Sequence, residues 1–449
     1  MTNKVTLAAR WEGARSVVLL ATVVVSTFVV TYVATVRIKP LFAPDSSFYA
    51  AMALWFGGTS KQDAVRQVIE MRHRQGWSTP QLTIDRMFGW GLVQPRVVLP
   101  ALSAPFVKIW GIEGLAVVPG LAMAALIGVL TWLLVRRWGW LAGAATVVLV
   151  MSSWRIMFYG AAMLTDSLSA LWGALILVVA WHYQHRRGWQ PVVWMVVLTV
   201  ISGFTRQATL VPAAAFVTAW LAAVVLRRRP NGWGVPALAV TVTSVAVQLL
   251  QNWLFPTFSQ FDQVNQFKAN TGASSLVGAL MGVPGLAWRI VIHDLGNFAG
   301  SDHPLLVLVM LSGLSMVAFW RRAESHLLLG AILGIGLYNV ATGSATAFRY
   351  AMPGLAFFAV SVALLFSRVD LRPDRSPRAE FQAKQAYEVV GERAQVGGSG
   401  DQGRQLTAHM QTDTGTAQPK SDADTVRAAG ESIRYLAGAA DEVPVALGG

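Results

Sequence analysis

The chain contains no cysteine. Disulfides, thiolate metal sites and cysteine nucleophiles are therefore excluded. Charge is also scarce: Asp, Glu, Lys and Arg make up 13% of the 449 residues, against about 25% in a soluble domain. Acids are the rarer sign, 23 against 36 bases, which leaves a net charge of +13. In a soluble protein that excess would suggest nucleic acid. Here the bases sit in short clusters between apolar runs and form no basic stripe on a soluble face, so no nucleic-acid partner is expected. A Walker loop, a dinucleotide fingerprint and a zincin helix are missing as well. Gly57-Gly58 and Gly397-Gly-Ser-Gly do not lie between a strand and a helix, so neither reads as a phosphate loop.

What the chain has in abundance is apolar length. Hydrophobic residues reach 54% and the mean hydropathy is +0.48. A helix that crosses a bilayer needs roughly 20 apolar residues. Runs of that kind fall at about 16–36, 114–135, 139–157, 163–183, 189–205, 207–226, 232–254, 303–320, 325–343 and 347–367. The expected fold is an all-α polytopic membrane protein of about ten transmembrane helices. The opening residues Met1 to Arg15 are short and basic, as in a signal peptide. Ser16 to Val36 is long enough to span and has no small-residue cleavage pattern, so an uncleaved first helix is expected.

Orientation follows from the bases. With the N-terminus inside, alternate crossings bring Arg136-Arg137, His185-Arg186-Arg187, Arg227-Arg228-Arg229, Arg321-Arg322 and Arg368 to the same cytoplasmic side. Arg37, Lys39 and the mixed-charge stretch 61–86 are the exceptions. Residues 94–110 would reverse every later cluster if they crossed. They also hold three prolines, Arg96 and Lys108. Proline breaks helix hydrogen bonding and mid-bilayer charge is costly. The segment is therefore expected to lie against the outer interface as a juxtamembrane helix. Two large outer loops are expected, at about 37–113 and 255–302. Residues 1–369 form the membrane domain. From 370 the composition turns polar and Gly-rich, which predicts a cytoplasmic disordered tail to 449, with a short amphipathic helix near 422–438. Both termini are then cytoplasmic. Rich Ala, Val, Gly, Arg and Trp usage suggests a bacterial plasma membrane.

With topology assigned, the ionisable residues sort by side. The outer side collects Asp45, Asp85, Arg96, Arg155, Asp166, Arg206, Asp262, Lys268, His293, Asp294, Asp302, His303 and Arg349. Ionisable groups at span ends are costly and are candidates for function. Asp45 follows Pro44 and is expected to cap a short helix, with Tyr49 one turn on. It is either a cap or a carboxylate base. Asp166 opens the fourth span and is open to the same two readings. Arg206, at the tip between two short spans, Arg349, with Tyr350 at the head of the last span, and Arg96 are candidates for holding an oxyanion. Each is equally suited to headgroup or acid pairing. His293-Asp294 and Asp302-His303 match no standard metal spacing.

The order of four motifs resembles the GT-C superfamily of integral-membrane glycosyltransferases. They are Pro44-Asp-Ser-Ser-Phe-Tyr after the first span, Pro95-Arg-Val-Val-Leu-Pro-Ala-Leu, Leu164-Thr-Asp-Ser-Leu, and Phe348-Arg-Tyr-Ala-Met-Pro. Together they cover about residues 16–367. The resemblance implies transfer of a hexose or pentose from a polyprenyl-phosphate donor to an extracytoplasmic glycan, lipid or protein acceptor, with inversion. It implies Asp45 as catalytic base, Asp166 as the assisting acid and Arg349 as the phosphate ligand. Arg206 and Arg96 would support the phosphate, and Tyr49, Tyr350, His293, Asp294 and His303 would border the cleft. Ser46 and Ser47 follow Asp45 where many members carry a second acid, so neither a metal nor any other cofactor is expected. The alternatives are a transporter or flippase of a lipid-linked or small substrate, and a non-catalytic membrane scaffold.

Overall fold

A computed structural model describes residues 2–77, 82–226, 232–255, 260–343 and 346–368. The chain divides into two units, Met1–Leu371 and Arg372–Gly449. The expected tail, its helix near 422–438 and the cluster Arg227-Arg228-Arg229 lie outside the described residues.

Among the described residues there are helices and no strands. In chain order they are α1 (Thr2–Ile38), α2 (Ser46–Phe56), α3 (Lys61–Arg74), α4 (Ile84–Gly89), α5 (Val98–Trp110), a 3-10 turn Gly111–Ala116, α6 (Val117–Trp138), α7 (Trp140–Ser152), α8 (Trp154–Ala161), α9 (Asp166–His185), α10 (Trp189–Thr205), α11 (Leu210–Val225), α12 (Gly234–Leu254), α13 (Gln260–Thr271), α14 (Leu276–Ser301), α15 (His303–Ala318), α16 (Ala323–Thr342), a 3-10 turn Arg349–Gly354 and α17 (Leu355–Phe366). Large apolar side chains stay exposed along them, such as Val30 at 67%, Leu238 at 65% and Leu249 at 65%. Soluble proteins rarely expose such faces, and here the hydrocarbon of a bilayer is their natural solvent. The chain is an all-α, multi-pass membrane protein.

Among the described residues, seven helices are long and apolar enough to cross, or eight if α7 and α8 form one broken span. Three more apolar helices, α10, α11 and α15, are shorter, with 17, 16 and 16 residues. The run expected as one straight span over 139–157 bends by 74° between α7 and α8. Ser153 makes the break: its backbone is extended and its hydroxyl accepts the N–H of Ile156 to start the new helix.

Val98–Trp138 is helical over 41 residues. As one rod that would be about 60 Å, twice the apolar thickness of a bilayer. Gly111 breaks it with φ +67°, a conformation that a side chain rarely adopts. Gly114 then sits directly against the Phe106 carbonyl. So α5 is a separate helix, packed on α2.

The second expected loop differs more. Within 255–302 lies α14, 26 residues and apolar enough to cross. Its contacts, however, lie along one end of the bundle. Gly282 lies beside Thr271, and the neighbouring Asn270 donates to the Ala341 carbonyl at 3.1 Å, at the end of α16. Asp294 accepts from Ala347, and the Ser301 carbonyl accepts from the Trp154 indole. These partners all belong to the end that carries Asp45, so α14 runs across that end.

Candidate active site

Four stretches far apart in sequence meet at this end. The first begins α2. Pro44 stops any helix from running through, and the local turn is closed by Ser46, whose N–H donates to Ala43 O (2.9 Å) and whose hydroxyl accepts from Ala43 N (3.0 Å). Asp45 occupies the cap position, yet its side chain caps nothing. Asp45 thus stands at the N-cap as expected, but its carboxylate makes no cap hydrogen bond and reaches outward instead. It accepts from Arg349 Nη2 at 2.7 Å. One turn on, Tyr49 is fully buried, and its hydroxyl accepts from Arg96 Nη1 at 3.0 Å.

The second stretch is the head of α9. Asp166 is its first residue, fully buried, and likewise makes no cap. One carboxylate oxygen pairs with Arg206 Nη1 and the other accepts from Arg349 Nε at 3.3 Å. The third stretch is the connection between α10 and α11. Ending α10 in extended backbone turns Arg206 inward, where it is 1% exposed. Its guanidinium lies over the Tyr350 ring at 4.7 Å, and Tyr350 contacts Tyr338 of α16 with ring centroids 4.8 Å apart.

The fourth stretch carries Arg349. Ala347 and Phe348 both have positive φ, 49° and 77°, which is unusual for two successive residues with side chains. Asp294 holds this kink by accepting the Ala347 N–H at 2.9 Å, while Phe348 packs between Phe298 and Phe358. The 3-10 turn that follows lies tight against α9. The Pro353 carbonyl occupies the space where a side chain at Gly173 would be. Glycine there lets the turn approach and brings Arg349 over Asp166.

The result is a chain of alternating charge, Asp45–Arg349–Asp166–Arg206, with Arg96 beside it. Burial disfavours ionisation of Asp45, but Arg349, by charge and hydrogen bond, outweighs it together with Arg96 and Arg206. The carboxyl is therefore held below its ordinary value. Burial works against the charge on Arg206 too, and the Asp166 carboxylate overcomes it. Among the described residues, three guanidinium groups face two carboxylates. Nε of Arg96 is buried without a hydrogen-bond partner among the described residues, and Arg206 keeps donor capacity beyond Asp166 that the Tyr338 hydroxyl shares. Buried donors of this kind are costly unless something accepts from them. At one edge the site is open, since the Asp45 side chain is 31% exposed and that of Arg349 19%.

The other expected cleft residues fall differently. Asp294 supports the Arg349 segment from behind. His293 is exposed on α14 and pairs with Asn297. His303 is exposed at the start of α15. Among the described residues, neither histidine hydrogen-bonds or ion-pairs with the four-residue chain. Asp302 is used up structurally, accepting from Ser153 Oγ, Arg155 N and Leu305 N. Asp262 has no described side chain. Among the described residues no group of three His, Asp or Glu could hold a metal. Tyr338 was absent from the sequence candidates. A tyrosine near a span end reads as part of the interfacial aromatic belt, and only its contact with Tyr350 and its influence on Arg206 and Arg96 single it out.

No protein-family model, curated protein or solved structure matches the chain.

Proposed function

We propose that the chain is a membrane glycosyltransferase of the GT-C kind, moving a sugar from a polyprenyl-phosphate donor to an acceptor hydroxyl with inversion. The observation that carries this reading is Arg349, shared between the partly exposed Asp45 and the buried Asp166. An arginine so held can exchange one carboxylate for a phosphate without moving far, because both present oxygens to the same fork of donors. A donor phosphate on Arg349 would release Asp45. Asp45 then takes the proton of the acceptor hydroxyl, and the acceptor oxygen bonds to the anomeric carbon. The bond from that carbon to the phosphate oxygen breaks, and polyprenyl phosphate leaves. The guanidinium groups of Arg206 and Arg96, which face the same site, are suited to the charge that develops on the leaving group. A polyprenyl lipid cannot leave the bilayer, which suits chemistry at a helix-bundle end. In this reading the membrane is a bacterial plasma membrane and the acting face is extracytoplasmic. The reaction needs no soluble nucleotide.

One observation favours a second reading, a transporter or flippase: the 74° break between α7 and α8, since interrupted helices are common around transport sites. One experiment separates the two. In proteoliposomes supplied with labelled polyprenyl-phosphate sugars, wild type transfers label to acceptor, and Asp45→Asn lowers transfer by about 10²–10⁴-fold while remaining monodisperse. Undiminished transfer in Asp45→Asn removes Asp45 as base. Movement of label across the bilayer without transfer supports the transporter. Mass spectrometry of envelope glycans from a deletion strain then identifies sugar and acceptor.

A further inference from the structure

At the opposite end of the bundle, three arginines from distant parts of the chain line one open cavity of about 430 Å³. Arg137 comes from the last turn of α6, Arg322 from the turn into α16, and Arg368 from just past α17. Trp138, Leu364, Ser367 and Glu324 complete the lining. We propose that this cavity binds the phosphate headgroup of an anionic phospholipid in the leaflet at that end.

The charge balance is the first argument. Glu324 is the cavity's single acid and is already engaged with Arg137 at 3.0 Å. Arg137 is further held by the rings of Trp138 and Trp181. Arg322 and Arg368 are exposed and make no ion pair among the described residues. Two guanidinium groups are thus left to answer an anion. The second argument is the helix geometry. Arg322 is the residue before α16, and its side chain does not cap the helix. The start of this 20-residue helix, with Arg322 before it and Glu324 in its first turn, lies at the cavity, where the helix dipole adds to the positive field.

The third argument selects a lipid over a free anion. Trp138 and Leu364 form an apolar wall, and α6, α16 and α17 all belong to candidate spans. Tryptophan at a span end marks the headgroup level. Basic pockets between transmembrane helices at that level suit phospholipid headgroups. Arginines that served only to orient the chain would be spread around the rim. These three converge on one concavity from residues 137, 322 and 368.

The test uses the full chain in zwitterionic detergent, titrated with phosphatidylglycerol, phosphatidylcholine or inorganic phosphate, with bound lipid read by native mass spectrometry. Phosphatidylglycerol is expected to remain bound where phosphatidylcholine does not. The double substitution Arg322→Gln/Arg368→Gln should weaken it by about 10- to 30-fold, as expected for two basic groups at a membrane surface. Arg136→Gln/Arg187→Gln, at the same end but outside the cavity lining, should leave it within about twofold. Equal loss in both double variants overturns the site, because the effect is then diffuse charge. Unchanged binding in Arg322→Gln/Arg368→Gln overturns it outright. Displacement of the lipid by millimolar inorganic phosphate assigns the cavity to a free anion and overturns the lipid. Should the double variant not fold, Arg368→Gln alone is held to the same comparison, with a loss of about fivefold expected.

Discussion

The two ends of this helical bundle are both charged, and they are charged in different ways. At the Asp45 end, acids and bases alternate, are largely buried and interlock across four segments. At the Arg137 end, bases dominate, most are exposed, and Glu324 is the single acid of the cavity. Burying an ion pair costs desolvation that its Coulomb energy barely offsets, so such pairs are poor stabilisers. A surface cluster of one sign costs little and orients the chain in the membrane. The first arrangement is thus the one that asks for a reason beyond folding, and the proposed chemistry on a phosphate would supply it.

The sharpest way to break this comparison is to remove the acid at each end. Asp166→Asn leaves Arg206 buried and unpaired and should destabilise the protein by about 3–5 kcal/mol. Glu324→Gln leaves Arg137, which is one-third exposed, able to find water, and should cost about 1 kcal/mol or less. Unfolding midpoints in detergent compare them directly, and equal losses would erase the distinction between the ends.

A smaller effect tests how Arg349 is held. Asp294→Ala removes the acceptor of the Ala347 N–H and frees the kink at Ala347–Phe348. The proposed sugar transfer should fall by about tenfold, as expected for one lost hydrogen bond to a charged acceptor, while Asp294→Asn, which keeps an acceptor oxygen, restores most of it. Failure of the asparagine to rescue would mean that the charge of Asp294, and not its hydrogen bond, is what matters.

The smallest effect is in pH. The Asp45 carboxyl is held below its ordinary value. A depressed folded value means that its contribution to stability is complete above the unfolded pKa of about 3.9 and is lost as pH falls through the lower folded value. Wild type should therefore show no Asp45 protonation between about pH 5 and 8. In Arg349→Gln the main opposing charge is gone and burial acts with less opposition, so the Asp45 carboxylic-acid infrared band should appear at higher pH than in wild type. A band at the same pH in both proteins would show that Arg349 does not set the ionisation of Asp45.

Much of this was legible beforehand, for identifiable reasons. Apolar run length gave the helices, since each run needs only local hydrogen bonds and a nonpolar solvent. The three prolines around α5 marked it as distinct from the span after it. Asp45, Asp166, Arg206 and Arg349 stood out because an ionisable residue beside an apolar run is rare. Other features were not legible. The break at Ser153 lies between the apolar runs of α7 and α8, and serine there is as readily mid-helix as not, so Ser152-Ser153 alone does not mark a bend. The course of α14 across the bundle end depends on Asn270, Asp294 and Ser301 finding partners in other helices. Asp302 resembled a site acid until its two oxygens were seen to be taken by Ser153, Arg155 and Leu305.

The sequence by itself determined that the chain lives in a membrane, that it is helical, and which polar residues stand at the ends of its spans. Those are properties of composition and of runs along the chain. Only the tertiary structure decided that Asp45 leaves its own helix uncapped to meet Arg349, that Asp166 is shared between two arginines, and that Gly173 makes room for the turn that brings them together. Pairing between residues 304 positions apart depends on how helices pack, and packing is set by side-chain shape across the whole bundle, which no local pattern in the chain encodes.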